Sequence, residues 1–252
     1  MKVVFSEKYE LYKEDILTIL NTFPQGGKSL KEGGRNTLKV YEVGAIPINI
    51  KSFKVPNAIN KVAYRFFRKS KAKRSFEYAS LLLEKGIGTP APIGYVEDNS
   101  SVSFGKSFYI SEHLEPDLTF RKLIREPDYP DHENILRQFT QFTLRLHDSG
   151  VLFKDHSPGN TLIRKNGKDY EFFLVDLNRM QFKELTFGER IQNFSRLTPK
   201  KDMVAIMSDE YAKNTTWKYD AIFSLMWKET THFQEKFHRK KRLKKKLLFW
   251  RN

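Results

Sequence analysis

The chain contains no cysteine among its 252 residues. Disulfide scaffolds, cysteine-ligated zinc or iron–sulfur centres and thiol catalysis are therefore excluded. It also lacks an apolar run near the ~18 residues that a membrane-spanning helix needs. Acidic residues are scarce beside basic ones, with 30 Asp and Glu against 45 Lys and Arg and a formal net charge of +15. This imbalance predicts an anionic partner.

Aromatic residues, in contrast, are abundant. The chain has 21 Phe and 11 Tyr, and 39% of its residues are hydrophobic. Side chains of this size bury large apolar areas, so the composition predicts a folded protein with a substantial core rather than a disordered polyelectrolyte.

The first part of the chain is patterned for β-strands. Apolar and β-branched residues alternate there, and a glycine-containing turn between the first two segments predicts a hairpin. The predicted strands are 37–43, 46–53, 93–97 and 107–111. Pro47, near the start of the second strand, favours an edge position for that strand. A helical period fills 57–85, and Gly86 follows as its stop.

The pattern becomes helical after residue 112. Residues 118–125 and 135–148 predict helices, the second with Ile135, Phe139 and Leu146 on one face. We therefore predict an α+β fold with a β-rich lobe over 1–112, a helical lobe over 113–235 and a basic amphipathic segment over 236–252.

Three polar residues follow apolar segments in a pattern that suits phosphoryl transfer. Asp155 precedes Asn160 by five positions, and an apolar strand ends at Asp176. Phosphoryl transfer needs a carboxylate that orients the attacking hydroxyl and accepts its proton, and oxygen ligands that hold Mg²⁺ against the phosphates. We therefore predict that Asp155 is the catalytic carboxylate and that Asn160 and Asp176 are metal ligands.

With these residues the chain resembles the protein-kinase-like superfamily, and specifically the lipopolysaccharide kinase (Kdo kinase) family. Phe153-Lys154-Asp155 through Asn160 matches the catalytic-loop motif, Asp176-Leu177-Asn178 the metal-binding motif, and Ile48-Asn49-Ile50-Lys51 the motif of the phosphate-binding lysine. The resemblance covers roughly residues 25–182. It implies a two-lobe kinase-like fold with a short helical C-lobe, and ATP and Mg²⁺ as cofactors.

The resemblance also implies roles for residues of the first lobe. Lys51 would hold the α- and β-phosphates, Glu77 would orient Lys51, and the glycine-rich segment with Gly33 and Gly34 would lie over the phosphates. The backbone at Glu112 and Leu114 would hydrogen-bond adenine. The lysine and these three polar residues, Asp155, Asn160 and Asp176, would meet in one cleft between the lobes.

Two of these assignments have a neighbour that also fits. Lys54 lies close to Lys51, and Glu84 shares a helix face with Glu77. Motif position favours Lys51, and Glu84 stands beside the Gly86 stop, which favours Glu77. A zinc site built from His147, Asp148, Asp155 and His156 is disfavoured. His147 ends an amphipathic helix, where an imidazole more often bonds backbone carbonyls or favours the helix terminus.

Two stretches hold much of the positive charge. Residues 61–74 contain seven Lys or Arg and 236–252 contain nine, without one acid. The second stretch also carries Leu, Phe and Trp, which suits peripheral contact of Lys236–Asn252 with an anionic membrane, although a solvated charge run remains an alternative. No nucleic-acid-binding motif is present, so no specific nucleic acid is expected.

The resemblance implies an ATP-dependent kinase that phosphorylates a sugar hydroxyl of lipopolysaccharide, on Kdo–lipid A or the inner core. Its partner would be an anionic glycolipid, and its place the cytoplasm, peripheral on the inner face of the inner membrane. No Ala-Pro-Glu motif follows Asp176, which favours a glycolipid acceptor over a peptide. The alternatives are an atypical protein kinase and a non-catalytic kinase-like module that binds polyanions.

Overall fold

The computed structural model describes residues 1–23, 25–31, 36–54, 69–99 and 104–249. The chain forms two compact units, which are described in turn. Unit 1 comprises Met1–Glu115 and Asp176–Asn178, and unit 2 comprises Pro116–Val175 and Arg179–Asn252. The lobe boundaries inferred from composition stay predictions.

Unit 1 is built on an antiparallel sheet. In the described residues six strands follow the order β1-β5-β6-β4-β3-β2. The strands are β1 (Lys2–Phe5), β2 (Lys28–Lys31), β3 (Asn36–Val43), β4 (Ile46–Phe53), β5 (Pro92–Asn99) and β6 (Phe104–Glu112). The helical segments are a 3-10 helix (Glu7–Tyr12), α1 (Lys13–Asn21) and α2 (Lys71–Glu84).

Alternation along the strands gives this sheet two apolar faces. Ile48 and Ile50 of β4 belong to the larger cluster, together with Ile16 and Leu20 of α1. Phe53 belongs to a smaller cluster with Ala72 of α2 and Tyr95 of β5. Apolar residues on both faces of the sheet are therefore covered by these two clusters.

The predicted hairpin is confirmed, with β3 and β4 paired from Asn36↔Phe53 to Val43↔Ile46. The predicted edge position is wrong, because β4 lies between β3 and β6. The sheet tolerates Pro47 there because β6 ends at Glu112, and Pro47 uses only its carbonyl, which accepts from the His113 N–H at 2.8 Å. Pro47 lies one residue outside the β4–β6 ladder, which begins at Ile48↔Glu112, so its missing N–H is tolerated there.

The predicted single helix over 57–85 is also wrong. Lys69 and Ser70 are not helical, and Ser70 is the N-cap of α2, with its side chain accepting from the Lys73 N–H at 3.0 Å. Residues 57–68 lie outside the described residues. The predicted stop is confirmed: Gly86 has φ +69°, and the Ile87 N–H closes on Leu82 O at 2.8 Å, as in a Schellman motif.

Unit 2 combines helices with short strands. Its helices are α3 (Phe120–Arg125), α4 (His132–Asp148), α5 (Phe187–Gln192), α6 (Lys201–Lys213) and α7 (Tyr219–Phe249). Its strands are β7 (Leu118–Thr119), β8 (Val151–Phe153), β9 (Thr161–Asn166), β10 (Asp169–Leu174) and β11 (Met180–Phe182). A 3-10 helix spans Leu177–Arg179. The helix predicted from 118 begins only at Phe120, because Leu118 and Thr119 pair with β9 instead.

Helix α4 forms the core of unit 2. The predicted apolar face is confirmed, since Ile135, Phe139 and Leu146 are each fully buried. The ring of Phe139 contacts those of Phe120 and Phe172, at centroid distances of 4.5 and 5.7 Å. The α+β prediction is confirmed by the two units together. None of the helices in the described ranges combines the length and apolar character that a membrane-spanning helix requires.

Candidate active site

In unit 2 a short loop carries two of the predicted residues, Asp155 and Asn160. The loop leaves β8, and the Lys154 N–H donates to Arg179 O at 2.8 Å. It closes on itself where the Asn160 N–H donates to Ser157 O at 2.9 Å and the Asn160 side-chain amide donates to Asp155 O at 2.9 Å. These bonds bring Asp155 and Asn160 together on one rigid turn.

The other end of this turn leads into a hairpin. Thr161 and Leu174 are the last pair of β9 and β10. Beyond that pair the Val175 N–H donates to Asn160 O at 3.0 Å. Asp176 is the next residue of the chain. The hairpin therefore places Asn160, which precedes β9, beside Val175, which follows β10.

The Asp155 carboxylate is held by two guanidinium groups of unit 2. Arg196 Nη1 donates to Asp155 Oδ1 at 2.6 Å, and Arg179 Nη1 donates to the same oxygen at 3.3 Å. Arg196 Nη1 also donates to Lys154 O at 2.7 Å. The side chain of Asp155 is 23% exposed, so the carboxylate is oriented by fixed cations and remains accessible.

His156, the next residue, points into the core. It is fully buried among the rings of Phe139, Phe153 and Phe194. Neither ring nitrogen has a hydrogen-bond partner among the described residues. Burial lowers the pKa of His156 to about 3, because a charged imidazole would lose its hydration there. His156 therefore anchors the loop as a neutral ring.

His147 is also buried, at the end of α4. Its ring nitrogens contact Tyr211 Oη and Asn193 Oδ1, each at 3.1 Å. Burial lowers its pKa to about 4. Asn193 in turn donates to Phe153 O at 2.9 Å, so these two side chains support the strand from which the catalytic loop starts.

In unit 1 the predicted lysine and the predicted second aspartate meet. Lys51 Nζ donates to Asp176 Oδ1 at 2.7 Å. The Lys51 side chain is 16% exposed and that of Asp176 is 46% exposed. Asp176 has φ +61°, a left-handed conformation that Asp tolerates better than most residues. Lys54 is exposed, so the geometry favours Lys51 over its neighbour.

Asn178 ties the same motif to α2. Its amide donates to Ser75 Oγ at 3.1 Å. A glycine at this position could not make this bond. The bond gives the Asp176-Leu177-Asn178 segment a fixed place against the helix that carries Glu77.

Glu77 does not contact Lys51 in this structure. Its carboxylate accepts from Lys69 Nζ at 2.9 Å, and Lys73 Nζ lies 3.8 Å away. Glu84 is the exposed last residue of α2. The expected Lys51–Glu77 pair is therefore absent from the described ion pairs, because both partners are bound elsewhere: Lys51 to Asp176 and Glu77 to two lysines of its own segment.

The segment at the end of β6 presents backbone groups. The Glu112 N–H donates to Ala91 O at 2.9 Å. The Glu112 carboxylate is bound by Tyr9 Oη and by Lys8 Nζ. In the described part of the chain the Leu114 N–H has no hydrogen-bond partner. Gly33 and Gly34, the predicted phosphate-binding glycines, lie outside the described residues.

The donor atoms of the two predicted metal ligands, each taken by itself, suit Mg²⁺. Asp176 offers a carboxylate, and Asn160 donates through its amide nitrogen, which leaves Oδ1 as an acceptor. Carboxylate and amide oxygens are the hard ligands that Mg²⁺ takes in small number beside phosphate oxygens.

Sequence reasoning missed Arg179 and Arg196, the two cations on Asp155. The position of Arg179 was a hint, because this residue stands three positions after Asp176, the predicted metal ligand. No sequence pattern pointed to Arg196, because this residue stands 41 positions from Asp155 and no spacing rule links the two.

Comparison with known proteins gives three findings. A family model described as the lipopolysaccharide kinase (Kdo/WaaP) family matches residues 54–219. A curated 3-deoxy-D-manno-octulosonic acid kinase of Mannheimia succiniciproducens is 24% identical over 123 residues, which are 48% of this chain and 50% of that protein. The matched segment thus spans half of the relative's length.

The third finding is a solved structure, described as WaaP in complex with acyl carrier protein. It superposes with a TM-score of 0.64 at 16% identity, and the match covers 95% of this chain and 99% of that chain. At this identity the likeness concerns the fold alone, and it confirms the predicted kinase-like fold class.

Proposed function

Since this chain belongs to the lipopolysaccharide kinase (Kdo/WaaP) family, we propose that it is an ATP-dependent phosphotransferase whose acceptor is a sugar hydroxyl of lipopolysaccharide. The family resemblance read from the sequence is thereby confirmed. The observation that carries the proposal is the Asp155 carboxylate, held by two arginines on a loop that also fixes Asn160. A partly exposed, oriented carboxylate is the group that a hydroxyl nucleophile requires.

The reaction follows from the residues of each unit. The acceptor hydroxyl oxygen attacks the γ-phosphorus of ATP, the bond to the β–γ bridging oxygen breaks, ADP leaves and the hydroxyl proton passes to Asp155 Oδ2 or Oδ1. Lys51 would hold the α- and β-phosphates. Asn160 and Asp176 would hold Mg²⁺, which supplies charge neutralisation on the phosphates when bound.

Nucleotide binding would use backbone groups of unit 1. The Leu114 N–H, unpartnered among the described residues, is a suitable donor to adenine, and the Glu112 carbonyl is a suitable acceptor. Gly33 and Gly34 would cover the phosphates. To orient Lys51, Glu77 would have to leave Lys69 and Lys73 and pair with Lys51 instead. We propose that this change of partner accompanies nucleotide binding.

The acceptor is proposed to be Kdo–lipid A or the inner core, an anionic glycolipid. The curated relative is described as a 3-deoxy-D-manno-octulosonic acid kinase. This description supports a sugar acid as the unit that is phosphorylated. Such an acceptor lies in a membrane, which favours a cytoplasmic protein that is peripheral on the inner face of the inner membrane.

The C-terminal part of α7 supports this location. Residues 236–246 are all exposed, and among them Phe237 and Leu243 are 52% and 54% exposed beside eight Lys or Arg. Cations together with apolar side chains suit an anionic bilayer. The solved WaaP is in complex with acyl carrier protein, so a protein partner is the other kind of partner proposed for this segment.

The activity test is transfer of labelled phosphate from ATP to a Kdo–lipid A acceptor. Asp155→Asn should reduce transfer by about 10²- to 10⁴-fold, the usual contribution of a general base. Stabilisation of the protein by Mg²⁺-ATP should persist in this variant, because Asp155 is not assigned to the nucleotide.

The matched control is Asp148→Asn, which removes a carboxylate that binds Arg190 at the exposed end of α4. It should leave transfer near the wild-type rate. Wild-type transfer by Asp155→Asn would contradict the proposal. Label in protein rather than lipid would favour an atypical protein kinase, and absence of Mg²⁺-ATP stabilisation at millimolar nucleotide would favour a non-catalytic module.

A further inference from the structure

A cleft opens in unit 2 beside Asp155, and no role has been assigned to it above. Its volume is about 460 Å³, within the range of pockets that hold small ligands. Its walls come from three parts of the unit: the strands β8 and β11 with the residues next to them, the segment 189–196, and the α7 stretch 229–236. The size suits one or two sugar rings.

The charge of this cleft is predominantly positive. Four cationic side chains line it: Lys154, Arg179, Arg196 and Lys236. The two acids in its wall already have donors. Glu189 is bound by Lys183 and by the Thr186 cap, and Glu229 accepts from Gln192 Nε2 at 2.8 Å. The four cations outnumber the acids Glu189, Glu229 and Asp155, so the cleft keeps a net positive charge.

Arg196 is the fixed member of this set. Its Nη1 atom is committed to Asp155 and to Lys154 O, and its guanidinium lies 5.5 Å from the centroid of the Phe233 ring. Its Nε atom is buried and has no hydrogen-bond partner among the described residues. The guanidinium thus keeps unsatisfied N–H donors, and a buried donor without an acceptor is unfavourable.

Arg179 is the more exposed of the two arginines. Its side chain is 63% exposed, and the one ion pair that it makes among the described residues is the 3.3 Å contact with Asp155. Lys154 and Lys236 are exposed and have no ion pair in the part of the chain that the structure describes. Guanidinium groups bind carboxylate and phosphate oxygens through paired N–H donors. An anion that enters the cleft could therefore accept hydrogen bonds from the arginine N–H groups.

We propose that this cleft is an acceptor subsite that binds an anionic group of the sugar substrate, a carboxylate or a phosphate, through Arg179 and Arg196, with Lys154 and Lys236 at its rim. The inference rests on the proposed function. Because the same two arginines hold the Asp155 carboxylate, an anion bound to them places the rest of the acceptor within reach of that carboxylate. The subsite would therefore select acidic sugars over neutral ones.

The experiment compares three acceptors in the transfer reaction: Kdo–lipid A, the same molecule with its Kdo carboxylates converted to methyl esters, and the same molecule without its lipid A phosphates. We expect one of the two neutralised acceptors to lose about 10- to 100-fold in kcat/KM with the wild-type protein, as for a lost charge-assisted contact. A loss with the ester identifies the carboxylate, and a loss with the dephosphorylated acceptor identifies the phosphate.

Arg179→Gln is the variant of choice, because this side chain is 63% exposed and makes one ion pair among the described residues. With the intact acceptor, the kcat/KM of this variant should fall by a similar factor. With the neutralised acceptor, its kcat/KM should stay close to the wild-type value for that acceptor. The KM for ATP should stay unchanged. Arg125→Gln is the matched control, because Arg125 is an exposed arginine at the end of α3 and does not line the cleft. It should keep the wild-type preference among the three acceptors.

A binding measurement separates this inference from the proposed function. Titration of the whole protein with the methyl glycoside of Kdo, without ATP, should show binding that Arg179→Gln weakens and Arg125→Gln does not. Binding with this pattern in a protein that transfers no phosphate would support the subsite and contradict the kinase. Equal kcat/KM for all three acceptors, or an Arg179→Gln loss that is the same for charged and neutral acceptors, would overturn the subsite.

Discussion

At the scale of the residue, buried neutral histidines support the loop that carries Asp155 and the strand before it. His156 and His147 have pKa values lowered to about 3 and about 4, in each case mainly by burial. An unfolded histidine titrates near pH 6.5, so above that pH neither state binds the proton and the full stability is present. Below it the unfolded chain takes up protons that the folded protein rejects.

We therefore predict that the free energy of unfolding falls as the pH drops from 7 to 5, by up to about 2 kcal/mol for each of the two histidines. Urea unfolding at the two pH values measures this change. His156→Phe, which keeps a ring among Phe139, Phe153 and Phe194, should remove about half of the pH dependence. An unchanged pH dependence in this variant would show that His156 titrates normally.

Another residue-scale feature concerns Lys51 and Glu77, which are engaged with other partners in this structure. Lys51 binds Asp176, and Glu77 binds Lys69 and lies near Lys73. Charged side chains on partly exposed surfaces exchange partners at small cost in free energy. The proposed role of Glu77 therefore requires a change of ion-pair partner, from Lys69 to Lys51.

At the scale of the element, the first strand depends on a close backbone approach. Gly94 of β5 is paired with Phe5 of β1. A Cβ atom added at Gly94 would lie 2.6 Å from Val4 O, a backbone atom that can move only if the strands separate. By contrast, a Cβ atom at Gly188, inside α5, meets nothing within 4 Å.

These two glycines give a matched pair of substitutions. Gly94→Ala should lower the free energy of unfolding by about 1–3 kcal/mol, because the strands β1 and β5 must move apart. Gly188→Ala should raise it by about 0.5–1 kcal/mol, because alanine is the better helix former. Chemical denaturation of both variants checks the pair, and equal effects of the same sign would refute this account of β1.

At the scale of the whole molecule, the positive charge is concentrated on particular segments. The exposed stretch 236–246 of α7 contains eight Lys or Arg and no acid, and each basic side chain near an anionic bilayer contributes about 1 kcal/mol to binding. The buried residues of the same helix, Ile222, Met226 and Thr230, all come before this stretch. The first half of α7 therefore packs in the core, and its second half exposes basic side chains.

We predict that replacing four lysines of this stretch by Gln weakens binding to vesicles with 30% anionic lipid by at least about 100-fold at low salt. The four are Lys240, Lys241, Lys244 and Lys245. Co-sedimentation with the vesicles measures the effect. A control variant replaces four exposed lysines outside the stretch: Lys2, Lys85, Lys165 and Lys168. Equal losses in both variants would mean that net charge alone, and not this stretch, governs the binding.

Much of the fold followed from local patterns. The β3–β4 hairpin, the stop of α2 at Gly86 and the buried face of α4 were predicted because alternation, glycine placement and helical period act over a few residues. Position within the sheet was not predictable: Pro47 suggested an edge strand, and β4 is internal. Which strands become neighbours depends on contacts between distant segments, and no local pattern encodes them.

The sequence by itself determined the family, the order of the motifs and the residues Lys51, Asp155, Asn160 and Asp176 as candidates, because each motif is short and its chemistry requires particular side chains. Only the tertiary structure decided which groups pair. In the folded chain Lys51 forms an ion pair with Asp176, and Glu77 forms one with Lys69. Arg179 and Arg196 both pair with Asp155, beside a cationic cleft. The physical reason is that ion pairs form between side chains that folding brings within a few ångströms, however far apart they stand in the chain.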